Sequence, residues 1–162
     1  MKSLFIGTAV LVVSPLFIAA ESQTPEGLFA EVIKGVEAKD QQALKALAID
    51  EAEIKKFVWP TVVSRMAGNG MNGDKFASGY AKSSELGIAS VFAAFGGRKW
   101  QIVKVAMEAP QKQSKDYKLF PAPLVTLRDE SGQEKTTHLV GGVLEQKGAY
   151  KVATYYTPIE RQ

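Results

Sequence analysis

Hydrophobic positions follow one period in the first half of the chain and another in the second. Between Thr24 and Phe95 apolar side chains recur every three or four residues, and from Arg98 onward they alternate. Leu28, Phe29, Val32, Ile33 and Val36 predict one face of a helix. Thr24 can cap it, Pro25 suits its first turn, and Glu26 suits the positive end of its dipole. The pattern stops at Lys39-Asp40. Asp40 is placed to cap a second short helix carrying Leu44 and Leu47. Asp50 is placed to cap a third, where Glu53 comes close to a capping box and Ile54, Phe57 and Val58 form the buried face. Pro60 is expected to end or redirect that helix. Ser64 to Asp74, rich in Gly and Asn, reads as a loop. Asp74 is then expected to cap a longer helix to about Phe95, with Phe76, Tyr80, Ile88, Val91, Phe92 and Phe95 on one face and Gly96-Gly97 as its end. Gly79 and Gly87 each cost such a helix about 1 kcal/mol against Ala.

The alternating half predicts four strands: Trp100 to Glu108, Tyr117 to Arg128, Lys135 to Glu145 and Ala149 to Tyr156. Pro121 and Pro123 interrupt the second, which argues for an edge, a bulge or a late start. Gly141-Gly142 marks a bulge or bend in the third. Asp129 to Gly132 and Gln146 to Gly148 read as turns, and Pro158 closes the domain. Helices followed by hairpin-connected strands make an α+β fold, with N-terminal helices packed on one face of a strongly curved antiparallel sheet. A sheet bent in this way would enclose a pocket beneath the helices.

The order of elements resembles the nuclear-transport-factor-2-like superfamily, which includes the ketosteroid-isomerase-like and SnoaL-like proteins. The resemblance rests on the opening helix LFAEVIKGVEAKD, the short helix DQQALKALA and the closing hairpin GVLEQKGAYKVATYY, with Gly148 in its turn, Tyr150 after it and Val152 two further on. It spans about Thr24 to Pro158. It is a likeness of pattern, and a related cystatin-like helix-on-sheet fold shares it. The resemblance implies a cone-like architecture with a pocket at its open end. It implies no single activity, because such folds include isomerases, cyclases, dehydratases and non-catalytic binding or dimerisation modules.

Composition changes this picture in one place, the N-terminus. Lys2 precedes an uncharged apolar stretch from Leu4 to Ala20, Ala19 and Ala20 are small, and Glu21 begins a polar stretch. That order predicts a signal peptide over residues 1–20 and a single α+β domain over 21–162, exported to the periplasm or the extracellular medium, with an uncleaved membrane anchor as the competing reading of the apolar run. The chain has no Cys, so disulfides, thiol catalysis, cysteinyl metal sites and lipid acylation are all excluded. The formal charge is +3, which becomes +2 without Lys2, and the basic residues are scattered. A nucleic-acid stripe is absent from this pattern. No membrane contact is expected after signal cleavage.

Candidate chemistry is sparse. His138 is the only histidine and is expected mid-strand, sharing a face with Val140, Gly142 and Leu144. It is a candidate general acid or base facing the pocket, with a carboxylate as the other possible base, and a surface or hydrogen-bonded strand residue is the competing reading. One His without Cys or a close carboxylate cluster leaves no metal ligand set, and no cofactor motif occurs. Trp59, Phe76, Tyr80 and Phe92 lie on or beside the helices expected to cover the sheet. They read as core or, with His138, as the lining of an apolar cavity. The expectation is a non-catalytic domain that binds a small apolar ligand or a protein partner. An isomerase- or dehydratase-type enzyme and a structural module forming homodimers are the alternatives.

Overall fold

The computed structural model describes residues 22–66 and 70–156. The signal-peptide segment 1–20 and Pro158 lie outside the described residues. Helix α1 (Pro25–Ala38) is capped by Thr24, whose hydroxyl oxygen accepts from the Gly27 N–H at 3.0 Å. Helix α2 (Gln41–Ala46) is capped by Asp40, and the three-residue α3 (Glu51–Glu53) by a full capping box between Asp50 and Glu53. All three starts follow the local chemistry of the sequence. A π-helical turn (Ile54–Val58) then leads without interruption into α4 (Trp59–Met66), and α5 runs from Gly73 to Phe95.

Two expectations are corrected here. Pro60 does not end the third helix; it sits second in α4, directly after the π-helical turn. Proline has no N–H for the carbonyl four residues back and its ring presses on that carbonyl, and the widened turn accommodates both. The long helix is capped by Asn72, whose side chain accepts from Lys75 N–H at 2.9 Å, and Asp74 lies in its first turn. The loop expected over Ser64 to Asp74 is therefore shorter at both ends.

Seven strands follow among the described residues: β1 (Trp100–Ala106), β2 (Lys112–Gln113), β3 (Tyr117–Pro121), β4 (Leu124–Asp129), β5 (Glu134–Thr137), β6 (Val140–Gln146) and β7 (Ala149–Tyr155). They form two antiparallel sheets, ordered β1-β4-β5 and β2-β3-β6-β7, where the sequence suggested one. The two long segments predicted as single strands each break in the middle and serve both sheets. Tyr117–Pro121 pairs with β6, and after Pro121-Ala122-Pro123 the same segment pairs with β5. The return segment breaks at His138-Leu139, beside the prolines. Proline cannot donate to a ladder, so the double proline is where pairing stops. The Gly141-Gly142 irregularity is present as a register shift against β7.

The two sheets are buried differently. Val125 and Leu127 of β4 are fully buried against α1 and the C-terminal half of α5, whereas Thr126 and Arg128 point the other way. That outer side is polar: Thr126 and Thr136 hydroxyls lie 3.0 Å apart, and Arg128 Nη2 donates to Glu134 at 2.6 Å. The four-stranded sheet is covered on both sides. Phe120, Val143 and Val152 join the cluster formed with α1, α2 and the end of α5. Their chain neighbours Leu119, Leu144 and Ala153 join a second cluster with Ile54, Phe57, Val58 and Ala77. The expectation of one buried face holds for the first sheet and fails for the second.

Helix α5 produces this arrangement by crossing the edge of β7. Its first half packs in one cluster and its second half, with Ile88, Val91 and Phe95, in the other. At the crossing, a Cβ on Gly87 would lie 2.4 Å from the Tyr155 carbonyl oxygen. Only glycine permits that approach, which gives the expected weak point its physical purpose. Ser84 Oγ accepts from Tyr155 N–H at 3.0 Å. Further along the edge, Val152 bonds Leu47 and Ile49, and Tyr150 N–H donates to Ser22. Three separate segments thus occupy the hydrogen-bonding edge of β7.

Candidate functional site

The local sequence around Pro60 builds a helical surface whose apolar side chains are not buried. The helical run is fixed at its start, because the Glu53 carboxylate both closes the capping box and accepts Lys151 Nζ at 2.8 Å. Ile54, Phe57 and Val58 then turn inward against Leu119 and Leu144. One extra residue in the π-helical turn rotates everything after it by about 100° relative to a continuous α-helix. Trp59, Val62, Val63 and Met66 still share a face by their spacing, yet no residue of α4 is buried. Met66 and Met71 are each 37% exposed.

Trp59 begins a row of half-buried aromatics. Its ring centroid is 5.3 Å from that of Phe76, which in turn is 5.5 Å from Tyr80 one turn further along α5. Gly73 lies against the indole. Burial pushes the Tyr80 hydroxyl up to about 12. Cations border this row. Lys55 Nζ contacts Asp74 at 2.9 Å, and that hydrogen bond together with the carboxylate charge raises the lysine above its ordinary range. Lys56 Nζ stands 5.0 Å from the Phe57 ring centre. Arg65 and Lys75 are exposed on the same stretch of chain.

Of the five residues singled out from sequence, the structure brings Trp59, Phe76 and Tyr80 together. Phe92 packs with the other cluster, beside α1 and the first sheet. His138 is not mid-strand. It occupies the break between β5 and β6, where its Nδ1 donates to the Pro123 carbonyl at 3.0 Å and ties the two broken segments together. Sequence reasoning passed over Val62, Val63, Met66 and Met71, because reading Pro60 as a helix end hid the spacing that links Trp59 to Met66.

A shallow cleft of about 350 Å³ lies elsewhere, at the β2-β3 end of the second sheet, lined by Gln113, Asp116, Lys118, Glu145 and Lys147 among others. It is polar and contains none of the sequence candidates. Lys118 Nζ meets Glu145 there at 2.6 Å, and this hydrogen bond raises the lysine above its ordinary value. Among the described residues, no group of three or more potential metal ligands occurs, and no helix is long and apolar enough to cross a membrane. Comparison of the chain with protein-family models, with curated proteins and with solved structures finds no match.

Proposed function

We propose that this chain is an exported, non-catalytic binding domain, and that it recognises its partner through the face formed by α4 and the start of α5 rather than through a cavity under the helices. The observation that carries the reading is an eight-residue helix whose apolar stripe, Trp59-Val62-Val63-Met66, contains no buried residue. Trp59, Val62 and Val63 are half-buried and Met66 is exposed, and apolar side chains gathered at a surface mark an interaction site more often than single ones do. The space beneath the helices is occupied by Phe29, Val36, Ile88, Phe95, Leu127 and Tyr155, each at most 2% exposed. The Tyr155 hydroxyl donates to the Leu44 carbonyl at 2.9 Å, so its polar group is committed to structure. Burial raises that hydroxyl far above its ordinary range. His138 donates its Nδ1–H to the Pro123 carbonyl in the gap between β5 and β6, apart from the Trp59-Phe76-Tyr80 row.

The fold-family side of the proposal is a divergent cone-like, nuclear-transport-factor-2-like domain. Its support is the helices-then-strands order and the long hairpin shared by two sheets. An environment-sensitive apolar dye provides the test. It should bind the chain and bind about tenfold more weakly to a Val63→Ser/Met66→Ser variant that melts as cooperatively as the parent. Equal dye binding by both proteins would overturn the reading.

A further inference from the structure

We infer that the α4–α5 face docks on the surface of an anionic lipid bilayer, with the stripe of α4 inserted among the head groups. The inference rests on the reading of that face as the recognition surface, and it names what occupies it. It departs from the sequence expectation of no membrane contact, and it concerns lying on a bilayer rather than crossing one. Three features of the face point the same way.

The first is charge. Residues 54–75 hold Lys55, Lys56, Arg65 and Lys75 against the single acid Asp74. Of the acids just before this stretch, Glu53 is turned toward Lys151 and closes the Asp50 cap, while exposed Glu51 acts on Lys55; four cations against Asp74 and Glu51 still leave an excess of two positive charges. Basic side chains bordering a half-buried apolar stripe that ends in the exposed Met66 complement anionic head groups, and each adds to the attraction within a Debye length of the surface.

The second is the kind of apolar side chain. Trp59 carries a half-buried indole, and an indole suits the boundary between head groups and acyl chains. Met66 and Met71 are flexible and polarizable, so they can fill an irregular lipid surface without a matching pocket. At eight residues, α4 is about 12 Å long, which is suited to lying in the interface and far too short to span it.

The third is extent. A stable protein–protein interface takes about 800 Å² and 20 to 30 residues from each partner. A two-turn helix with a few flanking side chains falls well short of that, whereas a bilayer needs only shallow insertion plus charge. A second copy of the chain is also disfavoured, because a two-fold contact would set the same four cations against each other.

Co-sedimentation tests this directly. The probe is the chain beginning at Glu21, which holds every element among the described residues, incubated with vesicles of phosphatidylcholine alone or mixed with phosphatidylglycerol. Binding should be about tenfold tighter on the mixed vesicles and should weaken as salt rises. The emission of Trp59 should shift to the blue on binding, against the constant background of Trp100, which is already buried. Met66→Asp, placed where no α4 residue is buried, should keep the cooperative melt and lose about tenfold in binding. Lys56→Glu/Arg65→Glu should lose the preference for phosphatidylglycerol. If no vesicles bind while the apolar dye still requires Val63 and Met66, the bilayer is the wrong occupant and the recognition face stands. If the dye binding is also insensitive to those residues, both fall. Lipid-independent dimerisation abolished by Met66→Asp would assign the face to a second copy and overturn the inference.

Discussion

On β4, Val125 and Leu127 are wholly buried while Thr126 and Arg128 between them face outward; on β6, the adjacent Val143 and Leu144 are both buried, on opposite sides of the sheet. The first pattern is that of an antiparallel sheet with one wet face. The second belongs to a sheet clad on both sides, and it arises here because α5 crosses the edge of β7 and lets helical segments pack on each face. The contrast extends to the edges. β7 is hydrogen-bonded along its edge by Ser22, Leu47-Ile49 and Ser84, whereas β1 and β5 end the first sheet with no further strand beside them among the described residues. Within one small domain, the path of a single helix decides whether alternation or a continuous apolar run is the right pattern for a strand.

The strongest way to break this comparison is to empty the second face. Leu144 is 1% exposed and packs with Phe57, Leu119 and Ala153. Leu144→Ala should cost about 2–5 kcal/mol in urea unfolding, as for any core leucine. Thr126→Ala, on the wet side of the other sheet, should cost no more than about 1 kcal/mol. If Leu144→Ala costs as little as Thr126→Ala, the second face is not a core.

The crossing point itself comes next. Gly87→Ala would place a methyl 2.4 Å from the Tyr155 carbonyl oxygen and 2.8 Å from the Tyr156 nitrogen, both backbone atoms that cannot rotate away. A loss of about 2–3 kcal/mol is expected. Gly79 lies two turns earlier, with nothing within 4 Å of the point where a methyl group would stand, so Gly79→Ala should instead stabilise by about 0.5–1 kcal/mol through helix propensity. Thermal melts of the two variants should move in opposite directions; a shared direction would mean that α5 does not ride on the β7 backbone.

Local chemistry made much of the fold readable. The caps at Thr24, Asp40 and Asp50, the Lys147-Gly148 turn with both residues at positive φ, and the bulge at Gly141-Gly142 all depend on neighbours in the chain. What escaped depends on distant ones. The partner of Gly87 is 68 residues away, at Tyr155, and nothing near Gly87 announces it. Two-sided burial did leave a trace, since Leu119-Phe120, Val143-Leu144 and Val152-Ala153 are adjacent apolar pairs that strict alternation would forbid. The double proline signalled an interruption, but not that the chain changes sheets there. At the site, Trp59, Phe76 and Tyr80 were readable as aromatics beside helices, while Val62, Val63 and Met66 were lost behind a proline whose usual meaning the π-helical turn sets aside.

The smallest of these effects sharpens the comparison of edges. Ser84 is 8% exposed, and its hydroxyl oxygen is the acceptor for the Tyr155 N–H where α5 meets β7. Ser84→Ala removes one oxygen and leaves the helix geometry intact, because alanine is the better helix former. The loss of the acceptor should nevertheless cost about 1–2 kcal/mol, since water has little room to replace it. Propensity returns a few tenths of that, so the net effect should stay below that of Gly87→Ala. Hydrogen exchange provides the sharper measure. The Tyr155 amide should exchange at least about tenfold faster in the variant, while the Val152 amide, held separately by the Leu47 carbonyl, should stay protected. Equal acceleration at both amides would mean that β7 is released as a unit. The helix would then clamp the strand through packing alone, and the serine would not be the fastening that separates the covered sheet from the open one.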